Sequence, residues 1–252
     1  MRHAPVQPIA SVRRVWVIEP RVSEPSLAPD AGKDAVLLLS GGIDSAALAS
    51  LVRPAWALVV DYGQRPAVAE VRAARAIAGH LGIRIAQLTV DLASVGSGLL
   101  LRESPPDSSA DEDGSGRTFA NVPSPSPEWW PLRNQLLCTL AAAWALGRTS
   151  KDGAPLRQVL TATVQSDGAR HVDGTLAFYD ALDCVTRMQE GGIAVRAPAI
   201  HLSAVELVTV SGADEGLLGW THSCHRSESP CAACPGCWKR EQVLMDLKML
   251  SH

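Results

Sequence analysis

The sequence predicts an α/β protein built on a doubly wound parallel sheet, with a small cysteine-rich segment at the C-terminus. Three observations predict it. Strand-length apolar runs at 36–39, 56–60, 83–90 and 158–164 alternate with helix-length segments. The first run ends in Ser40-Gly41-Gly42, a tight turn that leads into an Ala/Leu-rich segment. Four of the six cysteines crowd at positions 224, 231, 234 and 237. Strands that alternate with helices pair in parallel and carry helices on both faces.

The elements follow in chain order. Residues 1–34 hold several prolines and one short apolar stretch, Val15 to Ile18, and read as an extension that offers at most an edge strand. The run 36–39 is the first strand, and a helix starts near Asp44-Ser45. After the second strand, residues 67–81 place Val68, Val71, Ala74, Ala78 and Leu81 on one helical stripe, with Gly82 as the C-cap. Residues 131–146 form a helix stopped by Gly147, and residues 174–190 form another with Leu176, Tyr179, Leu182 and Met188 in phase. Residues 102–130, rich in Pro, Ser, Asp and Gly, break the pattern. They read either as a surface loop or as a lid over a site. The expected units are an extension (1–34), an α/β domain (35–220) and a zinc-binding segment (221–252).

With 46% hydrophobic residues in 252, the chain can bury a sizeable core. The 23 basic and 26 acidic residues nearly balance, so no dedicated nucleic-acid-binding face is demanded. Of the basic residues, 19 are arginines and only four are lysines, a bias of composition before it is one of function. No apolar run approaches the about 20 residues of a membrane span, and no secretory signal is visible. A cytoplasmic enzyme is the expectation.

A strand that ends in Ser-Gly-Gly delivers backbone N–H groups to the sheet edge where open α/β folds bind ligands. The helix behind it adds oriented amides, and together they suit a phosphate or pyrophosphate. The plain alternative is a strand–turn–helix joint capped by Ser40 or Asp44. No Gly-Lys-[Ser/Thr] follows, so the loop is not a Walker A motif. At the other end, C-x6-C-x2-C-x2-C supplies four thiolates for tetrahedral Zn²⁺. His222 and His225 lie close enough in sequence to replace a ligand, and spacing leaves an iron–sulfur cluster open. Cys138 and Cys184 fall within helices and read as small buried apolar residues.

Ser40-Gly41-Gly42-Ile43-Asp44-Ser45 resembles the signature of the PP-loop ATP pyrophosphatase superfamily, whose fold is adenine nucleotide alpha hydrolase-like. Asp61-Tyr62-Gly63-Gln64-Arg65 with Glu70 beyond it resembles the 7-cyano-7-deazaguanine synthase family. So do 95–100, Trp130-Pro131-Leu132-Arg133-Asn134, the pair Asp167 and Asp173 with Phe178, and the four cysteines with Arg240. The resemblance covers about residues 35–242.

It implies an enzyme that splits ATP to AMP and pyrophosphate, activates 7-carboxy-7-deazaguanine and couples it to ammonia. The expected nucleotide contacts are Ser40, Gly41, Gly42, Asp44, Ser45, Tyr62, Gln64 and Arg65. Asp44, Ser45 and Arg133 are the expected catalytic residues, with Asp44 either positioning Mg²⁺ or ordering the loop. Arg133, Asn134, Asp167, Asp173 and Phe178 are the expected substrate contacts. Solvated surface charge is the plain reading of Arg65 and Arg133, and helix capping that of the two Asp residues. Cys224, Cys231, Cys234 and Cys237 are the expected Zn²⁺ ligands.

The chain departs from the pattern in several places. Pro66 stands where the family has His, and Gln165 precedes Ser166-Asp167 where it has Glu. Arg170-His171-Val172 replaces its Gly-Tyr-Pro, Ala204 its Lys, and His225 its Tyr. The phosphate loop and cysteine set are better kept than the substrate pocket. This fits a paralogue with a changed acceptor, including the bacterial defence paralogues that join a deazaguanine to a protein amine. A nucleotide-binding subunit without turnover is the reading from another class, and a homodimer is one option.

Overall fold

The computed structural model describes residues 27–28, 31–101 and 126–249. The stretch Val15 to Ile18 and most of the 102–130 segment lie outside the described residues.

Five parallel strands form one sheet: β1 (Ala35–Leu38), β2 (Trp56–Asp61), β3 (Arg84–Thr89), β4 (Gln158–Leu160) and β5 (Ala194–Arg196). Their order is β3-β2-β1-β4-β5. The chain winds outward from β1 to β3, then returns to the other side of β1 through β4. The strand order therefore reverses between β1 and β4, and the crevice beyond their C-terminal ends is the switch point where such sheets bind ligands.

The helices are α1 (Ile43–Val52), α2 (Ala67–Leu81), α3 (Arg133–Ala145), α4 (Gln165–Arg170), α5 (Leu176–Arg187), α6 (Ala204–Ser211), α7 (Glu215–Gly219) and α8 (Pro235–Asp246). They cover both faces. Successive side chains of a strand point to opposite faces, and β1 obeys this. Ala35 and Leu37 join Leu48, Ile77, Leu207 and Val243 in one core layer, whereas Val36 joins Cys138, Tyr179 and Leu182 in the other.

The expected strands stand within a residue or two of their predicted starts. The run 158–164 is a strand only to Leu160, after which the chain turns toward the crevice. β5 was not foreseen, because three residues carry too little periodicity.

Two helical stripes hold in part. In α2, Ala74 and Ala78 of the expected stripe are buried and Val71 and Leu81 pack against the core, but Val68 is 54% exposed and Ala73 and Ile77 join the buried face. The helix approaches the turn closely: a Cβ on Gly41 would lie 2.8 Å from the Ala73 Cβ. That contact needs a small residue at position 73, and alanine supplies it. In α5, Tyr179 and Leu182 are buried, but Leu176 and Met188 are 40% and 67% exposed. Gly82 is the left-handed C-cap of α2 as expected, with φ +65°. Cys138 is fully buried, whereas Cys184 is only half-buried.

Among the described residues, no helix is long and apolar enough to cross a membrane.

Candidate active site

β1 delivers Ser40-Gly41-Gly42 into the crevice. Gly41 sits at φ +85°, a region that glycine enters at no steric cost. Local hydrogen bonds shape the turn. Gly42 N donates to Ser40 Oγ (3.3 Å), Ser45 Oγ donates to the Gly42 carbonyl (2.9 Å), and the two serine hydroxyls lie 3.2 Å apart. No side chain caps α1. Its first N–H groups are therefore without the usual intrahelical or capping acceptors, and they carry the positive end of the helix dipole. The turn can accept an anion.

A cavity of about 460 Å³ opens on this turn. Ser40, Gly42, Asp44 and Ser45 line it together with Arg133, Asn134, Asp167, Lys239 and Arg240.

Lys239, in the second turn of α8, connects two of the expected residues. Its Nζ lies 2.8 Å from Asp44 Oδ2 and 3.1 Å from Asp167 Oδ1. Burial favours the uncharged amine, but the two carboxylates outweigh it and hold Lys239 charged. Burial also pushes the Asp44 carboxyl above its ordinary range, with Lys239 pulling it back. Asp44 Oδ1 is buried and has no hydrogen-bond partner. Such an orphaned acceptor fits a cation that would accompany a bound phosphate.

Arg133 starts α3 on the other face of the sheet. Burial opposes its charge, but Tyr62, Asp173, Glu70 and Glu128 surround it and hold the guanidinium protonated. Glu70, from α2, also lines the cavity. Burial raises its carboxyl to about 7, against the Gln64 hydrogen bond (2.7 Å) and Arg133.

Several expected contacts serve the walls instead. Tyr62, Gln64 and Arg65 do not line the cavity. The Gln64 amide accepts from Tyr62 N (2.8 Å) and donates to the Val60 carbonyl (3.0 Å). The Arg65 guanidinium donates to the Leu101 carbonyl at 2.9 Å. Tyr62 packs edge-on against Trp130 at 5.0 Å, and Ser97 Oγ donates to the Trp129 carbonyl at 2.6 Å. These residues thus seat the chain that leads into Arg133.

Asp173 and Phe178 do not line the cavity either. Asp173 is a capping residue, but not of the helix that follows it. Its Oδ2 accepts from Asn134 N (3.3 Å) and its carbonyl from Asn134 Nδ2 (2.8 Å), at the start of α3. Thr175 caps α5 by accepting from Phe178 N. Asp167 does both jobs: Oδ2 accepts from Val164 N (3.0 Å) at the start of α4, and Oδ1 meets Lys239.

The four cysteines come together. The Sγ atoms of Cys224, Cys231, Cys234 and Cys237 all lie within 4.8 Å of one another, and neither His222 nor His225 is in the cluster. Four sulfurs at about 2.3 Å from one zinc would stand roughly 3.8 Å apart, and Cys231 and Cys237 are 3.9 Å apart. Backbone N–H groups of His225, Arg226, Ala233 and Cys237 point at cysteine sulfurs at 3.3–3.5 Å. Such donors suit thiolates, so this set could hold zinc.

The cluster is tied to the turn. His222 N donates to the Gly41 carbonyl (2.8 Å). Cys234 caps α8 and Pro235 occupies its first turn, so the knuckle sets where Lys239 points. Gly236 is needed here, since a Cβ would collide with the Ser223 carbonyl. Arg240 anchors the same helix through Thr221 Oγ1 (2.8 Å) and the Leu218 carbonyl (3.2 Å).

Sequence reasoning missed Lys239, Glu128, Arg170 and His171, which all line the cavity. The rarity of lysine was the one available signal for Lys239. Nothing in the linear pattern linked Glu128 to residues more than 40 positions away.

A family model described as queuosine biosynthesis protein QueC matches residues 34–248. The 7-cyano-7-deazaguanine synthase of Chlorobium phaeovibrioides is 28% identical over 216 residues, 82% of this chain and 89% of its own. That of Chlorobium luteolum is 30% identical over 217 residues, again 82% and 89%. Among solved structures, NMN synthetase from Francisella tularensis aligns at 15% identity with a TM-score of 0.43, covering 88% of this chain and 79% of that one.

Proposed function

The chain belongs to the QueC family of queuosine biosynthesis proteins, and from that premise we propose that it is an ATP-dependent adenylating ligase acting on 7-carboxy-7-deazaguanine. The curated relatives are named 7-cyano-7-deazaguanine synthases. The observation that carries the reading is the uncapped start of α1 behind Ser40-Gly41-Gly42, sharing one cavity with Lys239 and Arg133.

In this reading the turn and Ser45 hold the β and γ phosphates of ATP, and Lys239 leaves its carboxylates to meet them. Arg133 orients the carboxylate of the acid by its planar guanidinium. The acid oxygen attacks the α-phosphorus and pyrophosphate departs. Ammonia then attacks the acyl carbon, AMP leaves and the nitrogen sheds a proton, giving the amide. The amide oxygen then attacks the α-phosphorus of a second ATP, releasing pyrophosphate and one N–H proton, and loss of AMP with the remaining N–H proton leaves the nitrile. Asp44 is the residue to hold Mg²⁺, which when bound would neutralise phosphate charge. The cysteine set holds zinc in a structural role, because all four tetrahedral positions are protein ligands. Asp167 contributes through Lys239, and the paired-aspartate reading of a base edge is not supported by Asp173, which caps α3.

A second reading, in which a protein amine replaces ammonia, is favoured by one observation. Arg170, His171 and His225, three departures from the family pattern, line the same cavity as Glu128.

Acid-dependent ATP–pyrophosphate exchange tests the function. Wild type should exchange only with the acid present, and Asp44→Ala should lower the rate by about 10²-fold with an unchanged melting temperature. ADP and phosphate as products would refute adenylation, and absence of any acid-dependent AMP would leave a silent nucleotide-binding subunit.

A further inference from the structure

One buried carboxylate of the cavity, Glu128, has an oxygen to which the adenylation described above gives no role. Glu128 precedes α3 and is 4% exposed. Its Oε1 is occupied: the Arg170 guanidinium at the end of α4 pairs with it, and His171 Nε2 lies 3.7 Å away. His171 is in turn held by Ser126 Oγ at 3.2 Å. Oε2 is different. It is buried and has no hydrogen-bond partner, and the Nδ1 of His225 is in the same condition. Both residues line the cavity.

A buried acceptor without a donor is costly, and native proteins rarely keep one without a use. Burial would keep the Glu128 carboxyl protonated, but His171, a backbone amide and Arg170 outweigh it and hold it at about 2. Oε2 is therefore anionic at neutral pH. ATP and the acid are both anions, and the cations Arg133, Lys239 and Arg240 suit them; an anionic oxygen would repel both. A base edge presents paired N–H donors and would use both oxygens of a carboxylate, but Oε1 is taken. One reactant arrives as a cation, and that is the amine.

We propose that Glu128 is the subsite of the nitrogen nucleophile, its Oε2 accepting an N–H from an ammonium ion or a protonated primary amine. The inference rests on the ligase reading, and it assigns the acceptor side of that reaction. Arg170 and His171 occupy Oε1, which leaves Oε2 as the oxygen without a partner.

The test compares wild type with Glu128→Gln and Arg170→Ala, using ammonium chloride and methylammonium as amines. Glu128→Gln keeps the shape and removes the charge. It should raise the KM for either amine at least tenfold, a larger factor than any change in acid-dependent ATP–pyrophosphate exchange, which needs no amine. Arg170→Ala should lower the amine KM several-fold, because a competing cation has gone. A rise in the acid KM during exchange would mean that Glu128 reads the acid, and unchanged kinetics would make it a structural anchor; either overturns the proposal. Methylammonium binding, followed by NMR line broadening of the ¹³C-labelled amine in wild type and both variants, requires no turnover. Loss of broadening in Glu128→Gln and gain in Arg170→Ala support the subsite even if exchange fails, and equal broadening in all three refutes it. Amine-independent exchange in wild type separates failure of the ligase reading from failure of this one. Should Glu128→Gln not fold, the sign of the Arg170→Ala effect alone decides.

Discussion

Two walls of one cavity are built in different ways. The turn wall, Ser40 to Ser45, is shaped within six residues by hydrogen bonds between its own backbone and hydroxyls, at most five positions apart, and only then tied to the knuckle through His222 and Lys239. The Glu128 wall is made of side chains brought from separate parts of the chain: Glu128 before α3, Arg170 and His171 at the end of α4, and His225 in the knuckle. Backbone donors at a helix start are provided by the fold whatever the neighbouring side chains are. A side-chain cluster exists only while every element that contributes to it is in place. The first kind of wall suits a ligand part that does not vary, such as a polyphosphate. The second can be rebuilt by a few substitutions, and it is where this chain departs from the pattern it otherwise resembles.

The largest expected effect would damage both walls at once. The knuckle holds the turn through the His222–Gly41 hydrogen bond, sets Lys239 and carries His225. Cys234→Ala should remove bound metal, cost several kcal/mol of stability and lower the melting temperature by more than 10 °C. Elemental analysis of wild type should give one zinc per chain. A variant that keeps its melting temperature without metal would show that the walls stand independently of the knuckle.

Lys239→Ala strikes the turn wall alone. It leaves Asp44 and Asp167 unpaired and removes a cation from the anion site. The rate of acid-dependent exchange should fall by roughly 10- to 100-fold, mainly through the KM for ATP, with Lys239→Arg recovering part of it. The amine KM should not move. Equal loss on both would mean that the walls are coupled through the ion pairs.

The smallest effect concerns Glu70, beside the turn wall. Its folded carboxyl titrates at about 7, above the ordinary 4.5, because burial disfavours the charge. The folded state therefore prefers the protonated form, and stability present below pH 4.5 is lost as pH rises through 7. Glu70→Gln should abolish that loss, since an amide oxygen can still accept from Gln64. The variant should be more stable than wild type by about 1–3 kcal/mol at pH 8 and equal to it at pH 4. Urea melts at the two pH values measure this. An equal effect at both would mean that Glu70 is not held by burial.

What the sequence by itself determined is local or periodic. The strand–turn–helix at 36–52 was legible because Gly41 must take a positive φ and the hydroxyls of Ser40 and Ser45 bond within the turn. The cysteine set was legible because metal ligands on a short loop have a characteristic spacing. Parallel pairing followed from alternation, since a parallel strand requires a crossover. The tertiary structure alone decided that Ala73 and Ile77 join the buried face of α2 and that Val68 leaves it, with Ala73 small enough to meet Gly41. It decided that Asp173 caps α3 and not α5, and that Tyr62, Gln64 and Arg65 brace a wall. It also supplied the partners of Asp44 and Glu128, which lie 195 and 42 positions away at Lys239 and Arg170. A charged side chain binds whatever opposite charge the packed elements bring within a few ångströms, and no spacing in the chain records that meeting.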